Sequence, residues 1–191
     1  METKPATYVL WVATRREEYT KGLIESFVSL RSHYSRIWIP QKAIHHRLKG
    51  DRILVHQILF PGYILIDADD FYDFKKALID FRIDSRIHLL GDNQEAMKGR
   101  KWTDKDTDQK SAFVRNLVPV SDLELEYIQK LSADRPSDMV VENKQVTFVD
   151  GPMMGMEAYV QKVDFKRGNC LIVMDFFGQP MTMWVAINLV R

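Results

Sequence analysis

Side chains that could do chemistry are densest between residues 31 and 56. This stretch contains the cations Arg31, Arg36, Lys42, Arg47, Lys49 and Arg52, and the histidines His33, His45, His46 and His56. Only Asp51 opposes them, so the stretch forms the strongest charge asymmetry in the chain. Such a surface could bind nucleic acid through its phosphates. The alternative, which the sequence leaves open, is a solvated charged face without a ligand.

The pair His45-His46, with Asp51 nearby, raises the question of a metal site. Adjacent residues on a strand point to opposite faces, so both imidazoles cannot easily reach one ion. No third ligand lies at a suggestive spacing. We interpret the pair as two exposed histidines of a basic segment, and we expect neither a metal nor another cofactor.

Other signs of catalysis are missing from the sequence. It contains no nucleophile constellation, no glycine-rich phosphate loop and no paired-carboxylate signature. Cys170 is the single cysteine and lies in an apolar run, which predicts a buried, unreactive thiol and excludes a disulfide within one chain. We therefore predict a binding protein with no catalytic residues.

The overall composition limits the possible partners. Basic and acidic residues nearly cancel, 27 against 26, so any nucleic-acid binding must come from a local patch. No apolar stretch approaches the roughly 20 residues needed to span a bilayer, and the N-terminus has no apolar region of the signal-peptide type. We expect a cytoplasmic protein without membrane contact.

The elements that must position the basic stretch follow an α+β pattern. A buried strand is predicted at Tyr8–Val12 and an amphipathic helix at Glu17–Arg31. Two β-prone arms between Ala43 and Leu59 flank the turn signal Lys49-Gly50-Asp51, which predicts that the basic stretch forms a β-hairpin. A second helix is predicted to begin near Asp69-Asp70.

The second half of the chain changes character twice. Residues 92–116 carry charges of mixed sign without periodicity, and we interpret them as an exposed, mobile insertion. Ser121 and Glu124 have the spacing of a capping box, which predicts the start of a helix. Residues 134–141 are predicted to be a linker, and short β-prone runs within 142–191 predict a small barrel.

Three blocks, in this order and spacing, carry a family resemblance. They are Tyr8-Val9-Leu10-Trp11-Val12, then Leu59-Phe60-Pro61-Gly62-Tyr63-Ile64-Leu65, and finally Val149-Asp150-Gly151-Pro152 through Gly155-Met156-Glu157, with Phe177-Gly178-Gln179-Pro180 after it. Together they resemble the NusG family. The resemblance implies a NusG-type N-terminal α/β sandwich domain over 5–133 and an SH3-like β-barrel (KOW) domain over 142–191. Leu89–Asp92 and Val118–Ser121 are similar to specialised paralogues of the LoaP kind.

The resemblance implies a transcription elongation factor that binds RNA polymerase and promotes processive antitermination, at specific operons and with help from a nucleic-acid element. Two alternatives remain: a housekeeping NusG acting genome-wide, or a KOW-type RNA-binding assembly protein. In the family, an apolar face grips the clamp helices of the largest polymerase subunit. The residues expected to form that face are Tyr8, Trp11, Phe60, Pro61, Gly62 and Tyr63. The alternative is that the four aromatic residues fill the domain core, as strand aromatics usually do. We expect a monomer.

Two sets of cations are expected to bind nucleic acid. The N-terminal set, expected to contact the non-template DNA strand or the upstream duplex, is Arg15, Arg16, Arg47, Lys49 and Arg52. The barrel set, expected to contact a structured leader RNA, is Lys144, Lys162, Lys166 and Arg167. Acidic residues in the barrel cancel much of that charge, which favours the alternative of a barrel without RNA. Gln179 replaces a common arginine and argues against contact with Rho or a ribosomal protein.

Overall fold

The computed structural model describes residues 5–80, 87–89, 119–143 and 145–190. The predicted insertion at 92–116 and Lys144 lie outside these residues. In chain order the strands are β1 (Ala6–Val12), β2 (Arg36–Trp38), β3 (Gln41–Leu48), β4 (Asp51–Ile58), β5 (Tyr63–Ala68), β6 (Ile87–Leu89), β7 (Ser137–Glu142), β8 (Gln145–Asp150), β9 (Val160–Asp164), β10 (Asn169–Phe176) and β11 (Gln179–Leu189). The helices are α1 (Glu17–Ser26), α2 (Phe71–Asp80) and α3 (Asp122–Leu131), with 3-10 turns at Val28–His33 and Glu157–Tyr159.

The predicted α+β class is confirmed, and the chain divides into two compact units. The first unit is drawn from Met1–Ile39 and Pro61–Ser121, and the second from Pro40–Phe60 and Asp122–Arg191. The first contains a four-stranded sheet in the order β2-β5-β1-β6. The second contains the β3–β4 hairpin and a five-stranded sheet in the order β8-β7-β11-β10-β9.

The largest described core cluster of the first unit lies on one face of its sheet. Leu10 and Val12 of β1 alternate with residues of the opposite face, as expected for a strand with a side-chain period of two. Ile24 of α1 and Leu30 of the 3-10 turn cover this face and are fully buried. The helix predicted at Glu17–Arg31 is therefore interrupted: Phe27 adopts an extended backbone, and the 3-10 turn brings Leu30 into the core.

The predicted hairpin is confirmed in detail. Strands β3 and β4 pair from Gln41 opposite Ile58 to Leu48 opposite Asp51, with a two-residue turn between them. Both turn residues have positive φ, 51° at Lys49 and 98° at Gly50. That combination is typical of a type I′ turn, whose twist matches that of paired strands.

The barrel sheet begins earlier than the sequence predicts. Strand β7 lies mostly within the predicted linker, 134–141, and it pairs with β8 and, in parallel, with β11. Met139 of this strand is fully buried, as is Ser137. The linker prediction rested on the polar residues that precede Met139. Their polarity does not indicate that Met139 becomes a core residue once β7 pairs with its neighbours.

Helix α3 also belongs to the second unit, although the sequence predicts it in the N-terminal domain. The carboxylate of Glu124 accepts a hydrogen bond of 2.7 Å from the backbone N–H of Phe177. The ring of Tyr127 meets the ring of Tyr159 edge-on at 5.8 Å. These contacts join residues far apart in the chain, so periodicity within the helix could not predict them.

Candidate nucleic-acid interface

The β3–β4 hairpin is fastened to the barrel sheet by one buried carboxamide. The side-chain oxygen of Asn169 accepts a hydrogen bond of 2.9 Å from the backbone N–H of His45. The side-chain nitrogen of Asn169 donates one of 2.9 Å to the carbonyl of His45. The carboxamide thus pairs with the edge of β3 as a neighbouring strand would, satisfying a buried donor and a buried acceptor.

His45 strengthens the same attachment through its ring. Its Nδ1 lies 2.8 Å from the carbonyl oxygen of Gly168, and the residue is only 8% exposed. The interpretation of two exposed histidines is therefore wrong for His45. It holds for His46, whose Nε2 lies 3.0 Å from the side-chain nitrogen of Gln57 on the neighbouring strand. The two rings leave opposite faces of β3, as strand geometry requires.

The two predicted cation sets meet at this attachment. The guanidinium of Arg47 donates a hydrogen bond of 3.3 Å to the carbonyl of Lys166. Lys166 and Arg167 are exposed on the β9–β10 turn, so cations of the hairpin and of the barrel lie side by side. Asp164 opposes them, with its carboxylate 3.7 Å from Nε of Arg167. Because Arg47 and Lys166 are 119 positions apart, their proximity could not be predicted from the sequence.

The other predicted cations differ in their surroundings. Lys49 and Arg52 are exposed at the end of the hairpin, and Lys162 is exposed on β9. Arg15 and Arg16 belong to the first unit and are exposed there, with Arg16 5.4 Å from the ring centre of Tyr19.

Lys42 is a basic residue of the hairpin that the structure removes from the surface. Its side chain is buried in β3, and burial lowers the pKa of its ammonium to about 8, since the charged form is poorly solvated there. The solvated face of the hairpin is therefore smaller than the sequence suggests.

Phe60, predicted to face the polymerase, is inside the second unit. Its side chain is 1% exposed, and its ring centre lies 4.9 Å from that of Phe176 and 5.3 Å from that of Phe177. The two partners come from the end of β10 and the turn after it. In this conformation Phe60 is a packing residue, and its contact with polymerase stays a prediction.

The remaining aromatic candidates divide between the two faces of the first sheet. Tyr8 packs against the core that contains Leu10, and burial raises its pKa. Trp11 and Tyr63 are direct cross-strand partners, so they share the opposite face. Both are partly exposed, and burial raises the pKa of Tyr63 as well.

Pro61 and Gly62 form the turn that leads into Tyr63. Gly62 has φ of 90°, and its N–H donates a hydrogen bond of 2.5 Å to the buried carboxylate of Glu17. A side chain on Gly62 would lie 3.1 Å from the carbonyl oxygen of Val12. The local backbone conformation and packing therefore require glycine at position 62, independently of any partner that binds this turn.

Metal binding and thiol chemistry can be assessed within the described ranges. Within them, no group of three or more His, Cys, Asp or Glu side chains could hold a metal ion. Cys170 is fully buried, and burial raises the pKa of its thiol to about 12, so it stays protonated.

In the part of the chain that is described, no helix is long and apolar enough to cross a membrane.

The attachment of the hairpin can be tested at Gly168. A Cβ there would meet the Arg52 guanidinium and lie 3.1 Å from Nδ1 of His45. We expect Gly168→Ala to lower the free energy of unfolding by about 1 kcal/mol more than Gly178→Ala, owing to this crowding. Gly178 is a matched control, since its φ of 71° is close to the 73° of Gly168 and nothing lies within 4 Å of the added carbon.

Hydrogen exchange should localise the effect. The amide of His45 should exchange faster in Gly168→Ala than in Gly178→Ala, because its bond to Asn169 opens more often. Equal exchange rates and equal stabilities in the two variants would show that the hairpin does not rest on this turn in solution.

Comparison with known proteins finds distant similarity to NusG proteins. No protein-family model matches the chain. Two proteins named transcription termination/antitermination protein NusG, from Xylella fastidiosa strains Temecula1 and 9a5c, are 20% identical over 164 residues, covering 81% of this chain and 80% of theirs. A solved structure of Thermotoga maritima NusG, from work on the interaction between its domains, matches with a TM-score of 0.55 and 18% sequence identity. The match covers 96% of this chain and 94% of that one. Over four-fifths of its length this chain is therefore similar in sequence to NusG proteins, and its fold is similar to that of Thermotoga maritima NusG.

Proposed function

We propose that this protein is a specialised NusG-type elongation factor that binds RNA polymerase and promotes processive antitermination at particular operons. Its relatives are named for transcription termination and antitermination, which supports the general role. The specialised role, of the kind that LoaP-like paralogues perform, rests on the short segments that flank the insertion. No chemical step is required, because preferential binding to the elongating state of the polymerase is enough to stabilise that state.

The observation that carries the nucleic-acid part of this proposal is the convergence of Arg47 with Lys166 and Arg167. The hairpin by itself has a net positive charge, and the β9–β10 turn adds two further cations, although Asp51 and Asp164 offset part of the charge. Joined, they form one cationic surface, which we call the basic ridge and define as Arg47, Lys49, Arg52, Lys166 and Arg167. A ridge of this kind can follow a phosphate backbone without reading bases.

Polymerase contact is assigned to the other face of the first sheet. Trp11 and Tyr63 lie there as neighbours, away from the helix-covered core. Aromatic side chains are effective anchors at protein interfaces because they bring a large area with few rotatable bonds. We propose that this pair contacts the polymerase clamp helices. Tyr8 is left out because its side chain packs into the core.

The basic ridge makes a prediction about salt. Replacing Arg47, Lys49 and Arg52 together with serine should flatten the dependence of DNA affinity on salt concentration. Each lost phosphate contact should reduce the slope of log affinity against log salt by about 0.9 for duplex DNA and about 0.7 for a single strand. Fluorescence anisotropy with a forked DNA at several salt concentrations measures this slope.

A matched control removes charge elsewhere. Lys21→Ser with Lys130→Ser replaces two partly exposed lysines that pair with glutamates on their own helices, and it should leave the slope unchanged. The same variants should then be compared in transcription with the host polymerase. We expect readthrough of a terminator to fall in the triple variant and persist in the control. Identical slopes in the triple variant and the wild type would mean that the ridge is merely solvated.

A further inference from the structure

A cavity of about 340 Å³ opens where the hairpin meets the barrel sheet. Its volume is within the range of roughly 300–1,000 Å³ that is typical of small-ligand sites. The side chains that give it chemical character are Ile44, His46, Arg47, Asp164, Arg167 and Trp184. They come from β3, from the end of β9 and the turn after it, and from β11, so neither the hairpin nor the barrel forms the cavity alone.

One part of the lining is apolar and aromatic. Trp184 belongs to β11, opposite Leu171 of β10, and is only partly buried. Ile44 of β3 contributes an aliphatic surface to the same cavity. A planar, weakly polar group is the natural ligand for an accessible indole, because stacking on an aromatic ring needs little specific geometry.

The other part of the lining is cationic. Arg47 is held through its bond to the carbonyl of Lys166, the residue before Arg167. The Arg167 side chain is 71% exposed and so retains donors for a ligand. Two guanidinium groups in the lining of a cavity favour a phosphate, which each can bind through paired N–H donors.

Asp164 influences where a phosphate could bind in the cavity. Its carboxylate accepts a hydrogen bond of 2.9 Å from the backbone N–H of Arg167 and also lies near that side chain. These contacts offset part of its charge and position Arg167. The remaining negative charge of Asp164 repels a phosphate, so the phosphate is expected to contact those guanidinium donors of Arg47 and Arg167 that do not face this carboxylate.

One wall of the cavity, strand β3, is held in position before any ligand arrives. The buried pair of hydrogen bonds between Asn169 and His45 fixes β3 against β10 beside the opening. A site that is already ordered loses less conformational entropy on binding.

We propose that this cavity binds one nucleotide, with the base against Trp184 and the phosphate at Arg47 and Arg167. The ligand is a nucleotide of a single strand, since a base stacked in a duplex cannot enter a pocket. The inference rests on the proposed function, because it gives the basic ridge a site that holds one base of the bound strand. A free nucleotide has the same chemistry, so both sources must be compared.

Photo-crosslinking tests the contact directly in the full-length wild-type protein. Short single-stranded RNA and DNA carrying 5-iodouracil should crosslink to Trp184, as identified by mass spectrometry of the digested complex. Uridine monophosphate should compete for this crosslink. Tighter binding of the strands than of the monophosphate assigns the site to a strand, and equal binding assigns it to a free nucleotide.

A variant gives an independent measurement. Trp184→Leu should weaken single-strand binding by about tenfold, the usual effect of losing one base–aromatic stack. The salt slope should stay as in the wild type, because no phosphate contact is removed. Trp38→Leu is the control: Trp38 is another partly buried tryptophan, on β2 of the first unit, and its loss should not affect affinity. A thermal unfolding measurement on each variant tests whether it is folded.

The outcomes separate this inference from the proposed function. Binding with crosslinks only at the hairpin tip, together with unchanged affinity in Trp184→Leu, overturns the nucleotide site and leaves the basic ridge intact. If the wild type binds no strand at any salt concentration, the nucleic-acid part of the proposed function fails with it. Should Trp184→Leu prove unfolded, the wild-type crosslink alone decides.

Discussion

Replacing Phe60 with alanine is expected to lower the free energy of unfolding of the second unit by about 3–5 kcal/mol. The side chain is almost fully buried, and its ring packs against the rings of Phe176 and Phe177. Truncation would remove these contacts and leave a cavity that the paired strands around it cannot easily close. Denaturant unfolding of the full-length chain, followed by far-ultraviolet circular dichroism, measures the loss.

The control for this experiment is Phe60→Leu, which keeps most of the buried volume. It should cost much less, because volume-conserving apolar substitutions usually cost under about 1.5 kcal/mol. A loss below 1 kcal/mol for Phe60→Ala would contradict the packing seen here. Such a result would return Phe60 to the surface, where the resemblance to NusG proteins predicts it.

Burial of Phe60 changes how polymerase binding should be tested. A variant lacking both Phe60 and Tyr63 would confuse a loss of contact with a loss of stability. Tyr63 is only partly buried and lies beside Trp11, so it can be changed alone. Affinity of a folded Tyr63 variant for isolated clamp helices therefore gives the clean measurement of the proposed interface.

The local parts of the fold could be predicted from the sequence, because they depend on neighbours in the chain. The hairpin turn is an example: Lys49-Gly50 supplies the two positive φ angles that a type I′ turn requires. Tyr8 also lies on the same face of β1 as Leu10 and Val12, because side chains two positions apart in a strand share a face. The family resemblance alone predicts Tyr8 as an interface residue.

The candidate site could not be predicted, because it depends on contacts across the chain. His45 and Asn169 are 124 positions apart, and nothing near either residue indicates the other. Trp184 likewise fits an ordinary strand pattern until β3 is placed beside it. For the same reason the sequence predicts two separate cation sets. The charges can be read from the sequence, but whether they cluster depends on the fold.

Gly151→Ala is expected to be the most damaging small substitution in the barrel. Gly151 has φ of 101°, and an added Cβ would lie 2.6 Å from Cα of Ser137 and 3.0 Å from the carbonyl oxygen of Pro136. The obstructing atoms belong mainly to the backbone, so no side chain can rotate away to relieve the contact. Left-handed strain of about 1–2 kcal/mol and forced displacement of about 1–3 kcal/mol together predict a loss of about 2–5 kcal/mol.

The displacement would spread through Ser137. Its buried hydroxyl accepts a hydrogen bond of 2.9 Å from the N–H of Met153, so moving the start of β7 also disturbs the turn after β8. Gly155→Ala is the matched control, because Gly155 has φ of 78° with nothing within 4 Å of its added carbon. It should show the strain without the displacement. Equal losses of unfolding free energy in the two variants would mean that β7 does not pack against this turn, and that residues 134–141 behave as the linker that the sequence predicts.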